Sequence, residues 1–299
     1  MSKPQIVFFG AGPVAAKSLE LLSEWADVEA VVTKPKPAHH KGSFPVLDVA
    51  TKLELKVLEV TDKKSLDDLF ETEQMTSQLG ILIDFGIIVS QAVIDYFPLG
   101  IINSHFSILP EWRGADPITF SILSGQDMTG VSIMLLTAGL DEGPLLGYGE
   151  QPLDGTETTP SLTERLILLS DALLQHYVPR HIAEGTLGVP QTTTGRAESY
   201  SRKLEKADGV LDFSKSAAQL EREVRAFAEW PKSRTRINGH DVVITKAHAM
   251  NGSVKPGELW REAKALGLHT SDGVLVIDSL KPAGKGEMTI EAFLAGYQI

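Results

Sequence analysis

The alternation of apolar runs with segments of helical spacing constrains the fold of this chain more than any other feature. The strand-like runs of the first half are Gln5–Phe9, Val28–Thr33, Val57–Val60, Leu79–Asp84 and Gly100–Ser104. Helix-like segments separate them, and the first opens at Pro13, a residue that favours the first helical turn. Buried strands separated by helices predict a Rossmann-like, mainly parallel α/β sheet, whose ligands collect outside the carboxyl ends of the strands.

The pattern changes after a long helical segment, Pro160–Glu184. A stretch rich in Thr and Ser, residues 192–206, predicts a linker between an N-terminal domain (1–191) and a C-terminal domain (207–299). A helix near Ala217–Phe227 follows. The predicted strands beyond it are Ser233–Ile237, Asp241–Ala247, Gly257–Trp260, Gly267–Thr270 and Val274–Lys281. Short strands joined by turns such as Asn238-Gly239 predict a small OB-like β-barrel.

Composition excludes several classes of protein. The 299 residues include no cysteine, which excludes disulfides, thiolate nucleophiles and cysteine-bound metals. Hydrophobic residues make up 42% of the chain, enough for a core, but no apolar run approaches the ~20 residues of a membrane span. Met1-Ser2-Lys3-Pro4 leads straight into a strand, so no signal peptide is predicted. We expect a cytoplasmic protein with no membrane partner.

The net charge of −11 is unevenly distributed. Residues 206–299 carry 13 Lys and Arg against 12 Asp and Glu, whereas the remainder carries 15 against 27. A near-neutral C-terminal third beside an acidic body is compatible with local contacts to nucleic-acid phosphates. It is equally compatible with ordinary surface variation.

The segment Gly10–Ala15 has the strand, glycine turn and helix of a dinucleotide fingerprint. That fingerprint needs an acidic residue at the end of the second strand to hold a ribose. The second strand instead ends in Thr33-Lys34-Pro35, and Glu29 lies at its start. A tight glycine turn between a strand and a helix is therefore the favoured interpretation.

Polar residues at the end of the fifth predicted strand mark a candidate site. Asn103 and His105 are two residues apart, so their side chains point to the same face of the strand. Asn supplies an amide donor, and His supplies a donor or a base. Taken alone, the pair is equally compatible with a hydrogen-bonded loop. For Asp141, between Gly139 and Gly143, an ordinary turn residue is the favoured interpretation when the segment is taken alone.

Five segments in a fixed order carry more information together than any one of them does. They are Ile6–Gly10, Asn103–Pro110, Trp112–Gly114, Thr129–Met134 and Gly139–Gly143. Together they resemble the 10-formyltetrahydrofolate-dependent formyltransferase family. Two later segments, Val224–Pro231 and Leu280–Lys285, are similar to a C-terminal barrel found in that family. The resemblance covers nearly the whole chain.

The resemblance implies a one-carbon transferase. Its formyl donor would be 10-formyltetrahydrofolate, which leaves as tetrahydrofolate, and its acceptor would be the amine of methionine on initiator tRNA, for translation initiation. It implies catalytic roles for Asn103, His105 and Asp141, and a folate-lining role for the turn Ser107-Ile108-Leu109-Pro110. No metal is required, and a monomer is expected.

The implied chemistry suits these side chains. A neutral amine that attacks a formyl carbon creates an oxyanion and a cationic nitrogen. Asn103 and His105 can donate hydrogen bonds to the oxyanion, each good donor being worth roughly 3–4 kcal/mol. Asp141 can orient His105 and accept the amine proton.

Three positions depart from the family pattern. Asp116 stands where the family usually has alanine, and Pro144 stands where it often has a second aspartate. The segment from residue 34 to residue 43 is shorter than the basic insertion that the family uses on tRNA. The cations predicted to contact tRNA phosphates are Lys34, Lys36 and Lys41 in this segment, and Arg234 and Arg236, which share a face of one predicted strand.

Four other functions compete with this prediction. A formyltransferase acting on an amino sugar or another small amine would share the catalytic residues. A folate-dependent hydrolase would use water as the acceptor. A nicotinamide-dependent oxidoreductase is suggested only by Gly10–Ala15. A non-enzymatic tRNA-binding protein would have no need of the set Asn103, His105 and Asp141.

Overall fold

A computed structural model describes residues 3–37, 39, 42–252 and 255–298. The first elements in chain order are β1 (Gln5–Phe9), α1 (Pro13–Trp25), β2 (Asp27–Thr33), α2 (Pro45–Lys52), β3 (Val57–Glu59), α3 (Lys63–Thr72), β4 (Gly80–Leu82), α4 (Gln91–Tyr96), β5 (Ile101–His105), β6 (Arg113–Gly114), α5 (Pro117–Ser124), β7 (Met128–Leu135), β8 (Leu145–Pro152) and α6 (Thr159–Glu184). They are followed by β9 (Tyr200–Ser201), α7 (Ala217–Ala226), β10 (Ser233–Ile237), β11 (His240–Met250), β12 (Leu259–Glu262), β13 (Ala265–His269), β14 (Val274–Pro282), β15 (Met288–Thr289) and α8 (Ile290–Gly296).

These elements form two compact units. The first comprises Met1–Pro117, Met128–Pro152 and Thr163–Ser201. The second comprises Ile118–Asp127, Leu153–Leu162 and Arg202–Ile299. Most of the predicted linker therefore lies in the first unit, where residues 191–194 form a 3₁₀ turn and β9 pairs with β6. The domain limits 1–191 and 207–299, and the roles assigned to those domains, stay predictions.

A seven-stranded sheet with the order β3-β2-β1-β4-β5-β7-β8 organises the first unit. Its first five strands are parallel, β7 pairs antiparallel with β5, and β8 pairs antiparallel with β7. The predicted Rossmann-like, mainly parallel sheet is therefore confirmed. The chain moves from β1 to β2 on one side and returns to β4 on the other, so the sheet has a topological switch point between β1 and β4.

Local sequence explains where the elements of this unit begin. Residues 6–9 of β1 are fully buried, as expected for a strand covered on both faces. Helix α1 begins at Pro13, whose missing N–H costs nothing in a first turn. Helix α3 begins with a capping box, because the Asp62 side chain accepts from the Ser65 N–H while the Ser65 hydroxyl accepts from the Asp62 N–H.

Aromatic packing fills one side of the sheet. Phe9 lies 5.8 Å from Phe70, 5.7 Å from Phe85 and 5.9 Å from Phe97, measured between ring centroids. Leu66 of α3 belongs to the same buried cluster. Such rings remove a large apolar area from water, and this burial holds α3 and α4 against the strands.

An antiparallel sheet organises the second unit, in the region for which the sequence predicts a small OB-like β-barrel. Its order is β10-β11-β14-β13-β12, and β15 also pairs with β14. Helices α7 and α8 cover its apolar side, where Leu220, Val224 and Phe293 join the buried strand residues. In the described part of the chain, no helix combines the length and the apolar character needed to cross a bilayer.

The core of the first unit gives a matched pair of leucine substitutions. Leu66→Ala removes a fully buried side chain and leaves a cavity, so we expect a loss of about 2–5 kcal/mol of unfolding free energy. Leu187→Ala truncates a side chain that is 82% exposed and should change stability by about 0.5 kcal/mol or less. Urea denaturation measures both. Equal effects of the two substitutions would contradict the described core.

Candidate active site

Three groups converge on the carboxylate of Asp141. The Asn103 amide Nδ2 donates to Oδ1 at 3.3 Å, and the Gly114 backbone N–H donates to Oδ2 at 2.8 Å. The Nδ1 atom of His105 lies 3.7 Å from the same Oδ2. Asn103 and His105 are buried, and the Asp141 side chain is 14% exposed. The structure thus brings the three predicted catalytic residues together in a largely buried site.

The backbone explains this convergence. Strand β5 places Asn103 and His105 on one face, two residues apart. The loop after β7 leaves the sheet beside Ile102 and returns Asp141 to the side chains of β5. Asp141 adopts the left-handed conformation, with φ 51°, which aspartate tolerates better than most residues.

The hydrogen bonds of His105 fix its tautomer. Its Nε2 atom lies 2.9 Å from the carbonyl oxygen of Trp112. A carbonyl oxygen only accepts, so Nε2 carries a hydrogen, and Nδ1 of the neutral ring has a free lone pair facing Asp141. A proton between Nδ1 and the carboxylate would complete this contact. The oxyanion-donor role predicted for His105 would require Nε2 to release the Trp112 carbonyl.

Gln191 and Arg113 form a hydrogen-bonded support for the backbone of the Asp141 loop. The Gln191 amide donates to the carbonyl oxygens of Asp141, at 2.7 Å, and Gly143, at 2.9 Å. Its own oxygen accepts from Arg113 Nη2 at 2.7 Å. Both side chains are buried, and Arg113 also pairs with Glu198 at 3.1 Å. A hydrogen-bonded buried network of this kind restricts the position of the loop.

Gly114 links this network to the carboxylate. Its φ is 114°, and a Cβ atom at this position would lie 2.2 Å from the Ser201 carbonyl oxygen. Only glycine therefore allows β6 to pair with β9 while its N–H points at Asp141. Ser201 also donates to the Trp112 carbonyl, at 3.2 Å, the group that holds His105.

The turn Ser107-Ile108-Leu109-Pro110, predicted to line the folate site, is wholly buried. Leu109 packs against Met134 and Leu145. The Ser132 hydroxyl donates to the Ser107 carbonyl at 2.8 Å and accepts from the Leu109 N–H at 2.9 Å. The Ser132 hydroxyl thus fixes the backbone of the turn at two points. The side chains of the turn contribute to the core and not to an open surface.

The cations predicted to contact tRNA occupy different settings. Lys34 donates to the carbonyl of Gly86 at 2.9 Å, and Lys36 donates to that of Gly42 at 2.6 Å. Lys41 lies outside the described residues. Arg236 is exposed on β10 and bonds the Gly239 carbonyl at 3.1 Å. Arg234 donates to the Lys206 carbonyl, and its Nε atom is buried without a hydrogen-bond partner.

Sequence reasoning missed the supporting residues of this site. Arg113 lies inside a segment singled out for its similarity, but its partner Gln191 lies 78 residues away beside the predicted linker. A single glutamine in a polar stretch carries no signal of burial.

Across residues 3–37, 39, 42–252 and 255–298, no group of three or more His, Asp and Glu side chains is placed to hold a metal ion.

Comparison with known proteins decides the family. Residues 5–177 match the family described as "Formyl transferase", and residues 203–298 match "Formyl transferase, C-terminal domain". The chain belongs to the formyl transferase family. It is 33% identical over 304 residues to the methionyl-tRNA formyltransferase of Myxococcus xanthus, an alignment that covers 100% of this chain and 97% of the relative.

Solved structures share the formyl transferase fold. WlaRD, a sugar 3N-formyl transferase, matches with a TM-score of 0.69 at 19% identity, over 96% of this chain and 100% of the other. The N-formyltransferase of Helicobacter canadensis, solved with folinic acid and dTDP-3-aminofucose, matches with a TM-score of 0.66 at 19% identity, over 93% of this chain and 98% of the other. Likeness at this identity shows the fold alone.

The buried glutamine gives a test of the supporting network. Gln191→Met keeps the size of the side chain but removes its hydrogen bonds to Asp141 and Gly143. We expect a loss of about 1–3 kcal/mol of unfolding free energy, because two buried carbonyls lose their donor. Amide hydrogen exchange should also become faster in the Asp141 loop. The control is Gln175→Met at an exposed position, with an effect of about 0.5 kcal/mol or less. Unchanged exchange in Gln191→Met would contradict the supporting role.

Proposed function

We propose that this chain transfers the formyl group of 10-formyltetrahydrofolate to the α-amino group of methionine on initiator tRNA. The observation that carries the proposal is the convergence of Asn103 and His105 on Asp141. The full-length similarity to relatives named methionyl-tRNA formyltransferase supports the choice of acceptor. The protein is then a translation-initiation enzyme, and we further propose that it is cytoplasmic and monomeric.

The proposed reaction needs a proton acceptor close to the amine. The amine nitrogen attacks the formyl carbon, forms a C–N bond, and becomes cationic while the formyl oxygen becomes an oxyanion. Asp141 accepts the proton that the nitrogen loses, directly or through water. When the intermediate collapses, the bond from the formyl carbon to N10 of the folate breaks, and N10 takes up a proton. Tetrahydrofolate and the formylated amine leave.

The hydrogen bonds around Asp141 suit this role. Asn103 and Gly114 each occupy one oxygen and fix the carboxylate in place, but a carboxylate has about four acceptor positions. Capacity remains for the amine proton. The lone pair of His105 Nδ1 faces the carboxylate, so a proton taken up by Asp141 can be shared with the ring.

Asn103 suits stabilisation of the oxyanion. Its amide nitrogen has two hydrogens, and Asp141 engages one of them. The second can donate to the developing oxyanion from a position already fixed by burial and by the first bond. A donor preorganised in this way is worth roughly 3–4 kcal/mol in the transition state.

The turn Ser107-Ile108-Leu109-Pro110 and the cations complete the proposed binding sites. Since the side chains of the turn are buried, we propose that it supports the folate site by fixing the backbone between β5 and β6. Lys34, Lys36, Lys41, Arg234 and Arg236 are the proposed phosphate contacts. Arg236 is the more exposed of the two strand arginines and so the better placed for tRNA.

The reaction and the catalytic set are tested together. Purified protein should formylate initiator Met-tRNA with 10-formyltetrahydrofolate. Asn103→Ala, His105→Ala and Asp141→Asn should each lower turnover by roughly 10²-fold or more, with folate affinity much less changed, because these groups act mainly on the transition state. Asp95→Asn, at an exposed position of α4, is the matched control and should retain turnover.

Two outcomes would count against the proposal. Formylation of a nucleotide-linked amino sugar without turnover of Met-tRNA would replace the acceptor. A variant of Asn103, His105 or Asp141 with near-normal turnover would remove that residue from the catalytic set.

The proposed tRNA-binding cations predict a change in salt dependence. Neutralising Lys34, Lys36, Lys41, Arg234 and Arg236 together should raise the apparent KM for Met-tRNA. It should also flatten the dependence of binding on salt, by roughly 1 in the logarithmic slope for each phosphate that no longer has a cationic partner. Folate affinity should not change, since these cations act on the tRNA.

A matched control separates these cations from the effect of net charge. It neutralises five exposed lysines elsewhere, namely Lys17, Lys52, Lys56, Lys64 and Lys264. The control should keep the parent salt slope. If the first variant also keeps the parent affinity and slope, tRNA docks on other residues.

A further inference from the structure

A carboxylate of the chain itself fills the glycine turn between β1 and α1. Asp84 follows β4, the strand beside β1, and therefore lies at the switch point of the sheet. A Cβ atom on Gly12 would lie 1.7 Å from Asp84 Oδ2, so the absence of a side chain at Gly12 makes room for this carboxylate. Gly12 is part of the segment that resembles a dinucleotide fingerprint. Here a glycine is required at this position because a side chain would collide with the Asp84 carboxylate.

Asp84 is fixed to the turn by its backbone as well. Its carbonyl oxygen accepts from the N–H groups of Ala11, at 3.0 Å, and Gly12, at 3.3 Å. Its φ of 48° lies in the left-handed region, which turns the chain directly after β4. The N–H of Ala15, in the first turn of α1, is close enough to the carboxylate to lower the pKa of Asp84. Backbone and side chain therefore hold Asp84 against the same helix end.

The start of α1 is a place where anions bind. The first N–H groups of a helix have no partner inside the helix, and together they carry about half a positive charge. In nucleotide-binding proteins with a glycine turn, a phosphate accepts from these groups. In this chain the residue before α1 is Gly12, which has no side chain to cap the helix, and the Asp84 carboxylate takes up the position.

The surrounding charges reinforce the exclusion of a further anion. Asp116 is close enough to Asp84 to interact with it electrostatically, and Lys34 offsets one of the two negative charges. Asp84 is exposed when the whole residue is considered, but its carboxyl group is surrounded by protein. The resulting desolvation raises the pKa of Asp84 to about 6. Lys34 acts in the opposite direction, and the negative charge of Asp116 adds to the increase. The carboxyl is therefore mostly ionised at pH 7.

We propose that Asp84 is a specificity-determining residue that closes the glycine turn to phosphate groups. The turn then accepts only neutral or cationic groups at the switch point of the sheet. If the proposed formyl transfer is correct, this selects against small acceptors that would be anchored by a phosphate at α1. The amine of such an acceptor would have no phosphate cradle to position it.

Binding of inorganic phosphate and pyrophosphate tests the proposal without folate, tRNA or turnover. In calorimetric titrations at pH 7, Asp84→Ser should bind either anion at least about tenfold more tightly than the parent chain, because it empties the anion position at α1. Asp84→Asn fills the same space without charge and should gain about threefold or less. Asp116→Ser removes a neighbouring negative charge without opening the turn, and it should behave like Asp84→Asn.

The outcomes separate the possibilities. If Asp84→Ser binds no more tightly than the parent chain, Asp84 does not close the turn and the proposal is wrong. If Asp116→Ser gains as much as Asp84→Ser, net charge and not occupancy excludes phosphate, which also overturns it. Because no substrate is used, these results do not depend on whether the chain formylates Met-tRNA.

A second measurement serves if Asp84→Ser does not fold. In the parent chain, the Ala15 amide proton should shift with pH, with a midpoint near the pKa of about 6 that Asp84 has in this position. The shift should be absent in Asp84→Asn and retained in Asp116→Ser. An Ala15 signal that does not move between pH 4 and about 8 would overturn the proposal, since the carboxylate would not be at the helix end.

Discussion

The rest of the candidate active site depends on the contacts that hold one carboxylate, that of Asp141. Asn103 and the Gly114 N–H each bond one of its oxygens, and His105 faces it from the same strand as Asn103. Each donor depends on a different part of the chain. The strand β5 supplies the two side chains, while pairing of β6 with β9 points the Gly114 N–H inward. The carboxylate is therefore a point where several long-range contacts are satisfied at once.

The two carboxylates Asp141 and Asp84 have opposite proposed roles, and their surroundings differ accordingly. Asp141 sits on a loop held by Gln191, with acceptor capacity left for a proton that arrives with the substrate. Asp84 lies against the turn at the start of α1, where we propose that it takes the place of an anion. In these proposals the Asp141 carboxylate accepts a proton, and the Asp84 carboxylate blocks a binding site. Residue type alone does not distinguish them.

Sequence patterns predicted most of the longer elements but missed the strand β8, the helices α5 and α8, and the two-residue strands β6, β9 and β15. Strand β8 contains two glycines and exposed polar residues, a composition that is poor in strands, and its place on the edge of the sheet is a tertiary fact. Helix α5 contains β-branched residues, which favour strands over helices. In both cases the packing of neighbouring elements outweighs the local preference.

The sequence by itself determined the parallel sheet, the antiparallel C-terminal sheet and the pairing of Asn103 with His105 on one face. Periodicity of apolar residues is a local property, and side chains two residues apart on a strand always share a face. Only the tertiary structure decided that Gln191 supports the Asp141 loop and that Asp84 occupies the glycine turn. These contacts join residues 50 and 72 positions apart, and each depends on a close approach of backbone that no local pattern records.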